Sequence, residues 1–308
     1  MCDFNEFIKT YLRQNEFKTI ELENGFRIFI KDFSKCRRPN TIIYYKEHFK
    51  SFMLYCSQND IFYFHELSNE FILRYCEMLK YKVSNNTINK RITIIKMVIN
   101  YLMLNKYISE LNLNFPKFET KQKEITCISD SQLNNLINYA DSLTLKKKVV
   151  IYLLAFTGIR RNELVNILVS NIDFTYQRIY LDFTKSHKAR YIYFNDLISN
   201  LLKELIKTNK QNVYLFETKH GKRLEPTYIT YLFFELKHEL NINNLSPHKL
   251  RHTYATYLLK HGANQEQVRR LLGHSDFKMT KRYIDYIDTD LKKANFDFGP
   301  INLLKHYV

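Results

Sequence analysis

The sequence has few cysteines and no long apolar segment. Its five cysteines form an odd set without any Cys-x-x-Cys pair, which argues against both a zinc site and a disulfide framework. No apolar run approaches the ~18 residues that a membrane-spanning helix needs, and Asp3 and Glu6 lie where a cleavable signal would turn apolar. These absences predict a soluble, cytoplasmic protein without membrane contact.

The composition is basic and aromatic. The chain of 308 residues has a net charge of +16 and contains 23 tyrosines and 23 phenylalanines. A basic, aromatic surface that faces nucleic acid would account for this bias. An AT-rich genome, which inflates Lys, Asn, Ile, Tyr and Phe, would account for it equally well. Composition alone therefore does not decide the function.

Helical periodicity dominates the first third of the chain. Apolar residues recur at helical spacing near residues 4–12, from Asn40 to about Cys56, and from Asn86 to Leu102. Ser68 is placed to cap a further helix between the last two. These segments predict a small helical bundle.

The periodicity fails between about Leu111 and Cys127, where Pro116 lies among lysines and polar residues. Such a segment is typical of an interdomain linker, so we expect one domain over residues 1–120 and a second over residues 121–308. The two parts have net charges of +5 and +11. Two basic lobes suit a clamp around a DNA duplex.

The second part has a mixed pattern. Helices are predicted after Ser129 and from Leu145 to Phe156, and helix returns after Pro226. Two strand-like runs, Arg178 to Phe183 and Arg190 to Phe194, flank a polar hairpin turn. The expected fold class is mainly α with a small β-sheet.

Three short motifs carry the chemistry. They are Thr157-Gly158-Ile159-Arg160-Arg161-Asn162-Glu163-Leu164, His248-Lys249-Leu250-Arg251, and Leu272-Gly273-His274-Ser275 with Tyr283 after it. An arginine fork pairs two phosphate oxygens and stays charged at any working pH, so it can neutralise a phosphoryl transition state without a metal. A tyrosine phenol is a suitable nucleophile for a phosphodiester.

Local helix signals place part of this set. Ser246 and Pro247 form a strong helix start, so His248 and Arg251 should lie three residues apart near the positive end of a helix, where a phosphate is favoured. Asn264 with Gln267 predicts a capping box for the next helix, which Gly273 should end.

The motifs and their separations resemble those of the tyrosine recombinase (phage integrase) family. His274 lies 23 residues after Arg251, and Tyr283 lies nine residues after His274. The resemblance implies a helical, SAM-like core-binding domain followed by a mixed α/β catalytic domain of tyrosine recombinase type. It points to a compact Xer-like or transposon-type member. Residues 13–38 are longer than a compact core-binding domain needs and too short for an arm-binding domain.

The resemblance also assigns roles to residues of this chain. It implies Arg160 as the first catalytic arginine, and Tyr283, rather than Tyr286, as the nucleophile. Glu163 resembles the acidic residue that orients the arginine and the histidine. The other implied catalytic residues are His248, Arg251 and His274.

The family's catalytic lysine lies on a β-hairpin. Lys185 directly follows the first strand-like run and is the preferred candidate, with Lys188 and then Arg190 as alternatives. Lys188 and Arg190 are otherwise expected to bind DNA, as are Lys90 and Arg91 in the first domain.

The resemblance implies a site-specific recombinase that cuts and rejoins DNA through a 3′-phosphotyrosyl intermediate, in integration, excision, transposition or dimer resolution. It implies no metal and no other cofactor. The expected partners are double-stranded DNA with a specific core site and further copies of the chain, as a tetramer on two DNA sites that the C-terminal tail helps to assemble. A partner recombinase or a directionality factor is a further candidate partner. The alternatives are topoisomerase-like relaxation of DNA by a type IB mechanism and a non-catalytic architectural DNA-binding protein.

Overall fold

The computed structural model describes residues 20–120, 126–182, 189–208 and 213–273. The chain divides into two compact units, Met1–Gln122 and Lys123–Val308. Each unit has its own hydrophobic core.

The described part of the first unit is helical. Its helices are α1 (Leu22–Phe33), α2 (Pro39–Ser57), α3 (Asn69–Lys80) and α4 (Asn85–Leu104), with a short 3-10 turn at Phe64–Glu66. Helix α4 packs against the other three. The predictions for α2, α3 and α4 are confirmed, and the side chain of Ser68 accepts a hydrogen bond from the backbone of Phe71 as expected. The helix predicted near residues 4–12 lies outside the described residues.

Helix α1 was not predicted. It begins after Glu21 and buries a face that includes Phe26 and Phe29. Phe26 stacks on Phe49 of α2 with ring centroids 4.1 Å apart. The segment of residues 13–38, which the sequence left without a structure, therefore contributes a helix to the core.

The second unit is built around a buried helix. The helices in its described part are α5 (Asp130–Asp141), α6 (Leu145–Thr157), α7 (Arg161–Leu164), α8 (Asp196–Thr208), α9 (Pro226–Glu239), α10 (Pro247–Lys260) and α11 (Gln265–Leu272). Helix α6 packs against α5, α8 and α10, and every residue from Val149 to Leu154 is buried. This all-round burial explains why the middle of α6 is apolar on every face, while its first turn carries three lysines. Helix α8 was not predicted.

A three-stranded antiparallel sheet completes the unit in the order β1 (Ile172–Asp173), β2 (Arg178–Leu181), β3 (Arg190–Tyr193). The predicted hairpin pair is confirmed, with Leu181 opposite Arg190, whereas β1 was not predicted. Residues 183–188 between β2 and β3 lie outside the described part. Along β3, Arg190 and Ile192 are buried while the two tyrosines face outward.

No helix in the described part of the chain is both long enough and apolar enough to span a membrane.

Candidate active site

The candidate site is centred on the C-terminal end of α11. The side chain of Asn264 accepts a hydrogen bond from the backbone of Gln267, which completes the predicted capping box. Gly273 ends the helix with a φ of 63°, in the left-handed region that favours glycine. The helix is therefore fixed at both ends.

Three arginines converge on three consecutive carbonyl groups at this end. Arg190 Nε donates to the carbonyl oxygen of Leu271 at 3.1 Å, and Arg251 Nη2 donates to that of Leu272 at 2.6 Å. Arg160 Nη2 donates to the carbonyl oxygen of Gly273 at 3.2 Å. The last carbonyls of a helix lack partners within it and carry its partial negative charge. The backbone of α11 therefore holds three cations close together.

Glu163 joins two of these arginines. Its carboxylate accepts hydrogen bonds from Arg190 Nη1 at 2.9 Å and Nη2 at 2.7 Å, from Arg160 Nη1 at 2.8 Å, and from the backbone nitrogen of Arg160 at 3.0 Å. Burial raises the pKa of Glu163, but the hydrogen bonds and charge of Arg190, followed by the charge of Arg160, outweigh burial and lower the pKa to about 2. The carboxylate is therefore ionised at neutral pH.

The segment that carries Arg160 is shaped by Gly158. This residue ends α6 with a φ of 61°, and a Cβ atom there would lie 2.5 Å from Tyr254 and 2.8 Å from Leu272. Its carbonyl oxygen accepts a hydrogen bond from Arg251 Nη1 at 2.6 Å. Two carbonyls therefore fix the orientation of the Arg251 guanidinium group.

The three arginines differ in exposure. The side chain of Arg160 is 22% exposed and that of Arg190 is 7% exposed, while Arg251 as a whole is 3% exposed. The cluster of these arginines and Glu163 carries a net charge of about +2, since all four groups are ionised at neutral pH. Arg160 is the arginine of this cluster that is most open to an incoming anion.

His248 lies in the first turn of α10. Ser246 caps that helix by accepting a hydrogen bond from the backbone of Lys249 at 3.2 Å, and Pro247 is the first helical residue, as predicted. His248 is exposed, and its ring meets that of His252 edge to face, with centroids 4.2 Å apart. An exposed imidazole is therefore presented one turn before Arg251, which follows on the same helix.

The structure brings together several of the residues predicted from the sequence. Arg160, Glu163 and Arg251 meet at the end of α11, and His248 lies one turn before Arg251 on α10. Four further predicted site residues lie outside the described part of the chain: Lys185, Lys188, His274 and Tyr283. Among the described residues, no three His, Cys, Asp or Glu side chains are close enough together to hold a metal ion.

One predicted DNA-binding residue is buried. Arg190 was expected to bind DNA or to replace the hairpin lysine, but its guanidinium group is buried against Glu163 and Leu271. Its charge is therefore directed toward partners inside the protein. The pairing of Arg190 with Glu163 and the contact of His252 with His248 were both missed. The signal for the first was the alternation of β3, which places Arg190 on the same face as Ile192.

Two other predicted DNA-binding residues lie in the first unit. Lys90 is exposed on α4. Arg91 is half-buried and donates from Nη1 to the hydroxyl of Ser51 at 2.8 Å. Lys90 is therefore the better placed of the two for contact with a ligand outside the unit.

Comparison with known proteins gives two family matches and many relatives. A family described as "Phage integrase family" matches residues 127–289, and one described as "Phage integrase SAM-like domain" matches residues 3–120. Tyrosine recombinase XerA of Saccharolobus solfataricus is 32% identical over 206 residues, which are 66% of each chain. Tyrosine recombinase XerD of Staphylococcus haemolyticus is 27% identical over 275 residues, which cover 85% of this chain and 92% of that one.

Solved structures show the same fold. The XerH site-specific recombinase bound to a palindromic difH substrate matches with a TM-score of 0.72 and 17% identity, over 83% of this chain and 80% of that one. The Tn1549 transposon integrase in complex with a circular intermediate DNA matches with a TM-score of 0.71 and 16% identity, over 89% and 99% of the two chains.

Proposed function

Because the chain belongs to the phage integrase family, we propose that it is a site-specific tyrosine recombinase whose arginine cluster binds the phosphate to be cut. The enzyme cuts and rejoins DNA. The observation that carries the proposal for the site is the set of hydrogen bonds that hold Arg160 and Arg251 on neighbouring carbonyls of α11.

The cluster is suited to a phosphodiester in the transition state. Arg160, the more exposed arginine, contacts one non-bridging oxygen, and Arg251 contacts the other from a deeper position. Because carbonyl groups and Glu163 already fix both guanidinium groups, little reorganisation is needed when negative charge develops on the phosphate. The cations do the neutralising for which other nucleases use a metal.

The remaining catalytic roles come from the family motifs. The Tyr283 phenol oxygen attacks the phosphorus and the bond to the 5′ oxygen breaks, which leaves a 3′-phosphotyrosyl bond and a free 5′-hydroxyl. His248 takes the phenol proton, Lys185 gives a proton to the leaving 5′ oxygen, and His274 donates a hydrogen bond to the phosphate. Attack by a 5′-hydroxyl of another duplex returns the proton to Tyr283 and restores a phosphodiester, so no ATP is consumed.

The two parts of the chain share the DNA. Residues 1–120 act as the core-binding domain, in which Lys90 contacts the duplex, and residues 121–308 act as the catalytic domain, in which Lys188 contacts DNA beside the hairpin lysine. The substrate is a specific core site, and four copies of the chain act on two sites, with the segment after Tyr283 contributing to assembly. The XerH and Tn1549 structures, which contain bound DNA, support DNA as the partner.

A suicide substrate with a nick in the core site tests the proposal. The nick lets the short strand that carries the free 5′-hydroxyl diffuse away, so religation fails and the wild-type protein should accumulate a covalent DNA adduct. Tyr283→Phe should bind the same DNA and form no adduct, because it lacks only the nucleophilic oxygen. Tyr286→Phe is the control and should form the adduct normally. If Tyr283→Phe forms the adduct and Tyr286→Phe does not, the nucleophile is Tyr286 and not Tyr283.

A further inference from the structure

Arg190 is bound more completely than the arginine it accompanies. Its two terminal nitrogens form a two-bond pair with the Glu163 carboxylate, and its Nε donates to the carbonyl oxygen of Leu271. Arg160 reaches the same carboxylate through Nη1 of its side chain and is about three times as exposed, at 22% against 7%. Arg190 therefore binds the carboxylate from inside the protein, while Arg160 lies nearer to solvent.

This arrangement has a consequence for charge. A pair of Arg160 and Glu163 alone would be neutral, and the carboxylate would offset much of the attraction of Arg160 for a phosphate. With Arg190 present, two cations share one carboxylate and a net positive charge is left for an anion at Arg160. Glu163 is held by Arg190 in a fixed orientation, which in turn fixes Arg160 through the shared oxygen Oε1.

We propose that Arg190 is a positioning residue for DNA cleavage, which holds Glu163 so that this carboxylate orients Arg160 without neutralising it. The inference rests on the proposed role of Arg160 at the phosphate. Arg190 does not touch the DNA and acts through Glu163.

The geometry around Gly273 supports the same role. A Cβ atom at Gly273 would lie 2.8 Å from Cδ of Arg190 and 3.0 Å from its Nη1. The glycine therefore leaves room for the Arg190 side chain to reach Leu271 and Glu163 across the end of α11.

The first experiment measures single-turnover cleavage of the nicked suicide substrate. Arg190→Gln should lower the cleavage rate by roughly 10- to 100-fold with little change in DNA binding, because the loss falls on the transition state. Arg190→Lys should recover part of the rate, since it restores the charge without the two-bond geometry. Arg178→Gln is the matched control: this arginine lies on the neighbouring strand and pairs with the partly exposed Asp173, so its loss should leave cleavage unchanged.

A double variant separates positioning from structural support. Arg190→Gln leaves Arg160 neutralised by Glu163, so adding Glu163→Gln should raise the cleavage rate above that of Arg190→Gln alone. If Arg190 only stabilised the fold, removing the second partner would leave the rate equal or lower still. A double variant no faster than Arg190→Gln therefore overturns the inference. If Arg190→Gln alone fails to fold, Arg190→Lys takes its place, and a cleavage rate of Arg190→Lys equal to that of the wild type overturns the inference.

A substrate with a methylphosphonate at the scissile position gives an independent measurement. In this substrate a methyl group replaces one anionic oxygen, so less negative charge has to be neutralised at the phosphorus. The ratio of the wild-type cleavage rate to the Arg190→Gln cleavage rate should therefore shrink toward one. An undiminished ratio contradicts the inference. The failure of this inference can be told apart from the failure of the proposed function. If Arg160→Ala cleaves ordinary DNA like the wild type, the proposed role of Arg160 is wrong. If Arg160→Ala is impaired and Arg190→Gln is fully active, only the role of Arg190 is wrong.

Discussion

The two units of the chain bury different chemistry. The core of the first unit is apolar and aromatic, with Phe49, Phe52 and Tyr75 fully buried. Among the described residues, all the buried Ser, Thr, Glu and Arg side chains belong to the second unit: Thr157, Glu163, Arg190, Ser199, Glu217, Arg251, Thr253 and Thr256. Buried ions seldom add stability compared with apolar groups of the same size. The comparison indicates that the first core serves stability, while the second also keeps buried charges, for which we propose a role in binding the phosphate.

The largest effect should come from removing a buried cation of the second unit. Arg251→Ala should lower cleavage of the nicked substrate by about 10³-fold, or about 4 kcal/mol of transition-state stabilisation. Hydrogen exchange over residues 20–120 should not change. The control is Arg223→Ala, which removes a partly exposed arginine bonded to Asn166. Normal cleavage by Arg251→Ala would mean that the buried charge has a structural role only.

Acid should affect the second unit more than the first. The pKa of Glu163 is about 2 in the folded chain, against an ordinary 4.5. The stability that its ionised form contributes is therefore complete above pH 4.5 and is lost as the pH falls from there toward 2. The contribution is on the order of 3 kcal/mol.

Urea unfolding across this pH range, with hydrogen exchange followed in each unit, measures the effect, and Glu163→Gln should flatten the pH dependence. Glu266→Gln is a stringent control, because the pKa of Glu266 is also about 2 but its side chain is 36% exposed and solvent screens its pairs. Equal flattening by both variants would argue against a special contribution of the buried carboxylate.

A change in the aromatic core should show the opposite pattern. Phe52 is fully buried and meets the ring of Tyr75 edge to face at 5.2 Å, so Phe52→Leu should destabilise the first unit by about 1–2 kcal/mol. Leu54→Ala, at an exposed position of the same helix, is the control. Cleavage of bound substrate should keep its rate in both variants. A slower chemical step in Phe52→Leu would show that the core of the first unit also affects catalysis.

The smallest effect compares two helix caps. Ser68 and Ser246 each accept a hydrogen bond from a backbone N–H of the first turn, at 3.1 and 3.2 Å. Each change to alanine should lower the stability of its own unit by about 1 kcal/mol, measured by urea unfolding. Only Ser246→Ala should also slow cleavage, because His248 and Arg251 follow on the helix that it caps. Equal cleavage rates in the two variants would show that the cap of α10 does not affect the catalytic site.

Much of the fold could be predicted from local signals. Caps at Ser68, Ser129 and Ser246 marked helix starts, and two strand-like runs on either side of a polar stretch marked the hairpin. Helices α1 and α8 were missed although each has an amphipathic face. Helix α1 begins after Glu21 without a side-chain cap. Helix α8 does have a cap signal, since the side chain of Asn195 accepts a hydrogen bond from the backbone of Ile198 at 3.2 Å, but this asparagine lies close to the end of β3 and was overlooked.

The site was predictable in its residue types and less so in its contacts. Family motifs brought Arg160, Glu163 and Arg251 into one set, and the structure joins them at α11. The burial of Arg190 was not predicted, because an arginine beside tyrosines in a strand is normally the exposed residue. Here the order is reversed, with Arg190 buried and Tyr191 exposed, since Glu163 lies beneath β3 to pair with it.

The three carbonyls at the end of α11 hold the arginines with atoms that every amino acid shares. A scan that replaces each side chain in turn would change Leu271 or Leu272 and leave these acceptors in place, so it would report packing effects and overlook the electrostatic ones. Replacing the peptide bond after residue 272 by an ester weakens the Leu272 acceptor without altering any side chain, and it also removes the N–H of Gly273 that donates to the carbonyl oxygen of Arg270. Chemical editing of the backbone, rather than mutagenesis, is the way to weigh what this helix contributes to the recombinase.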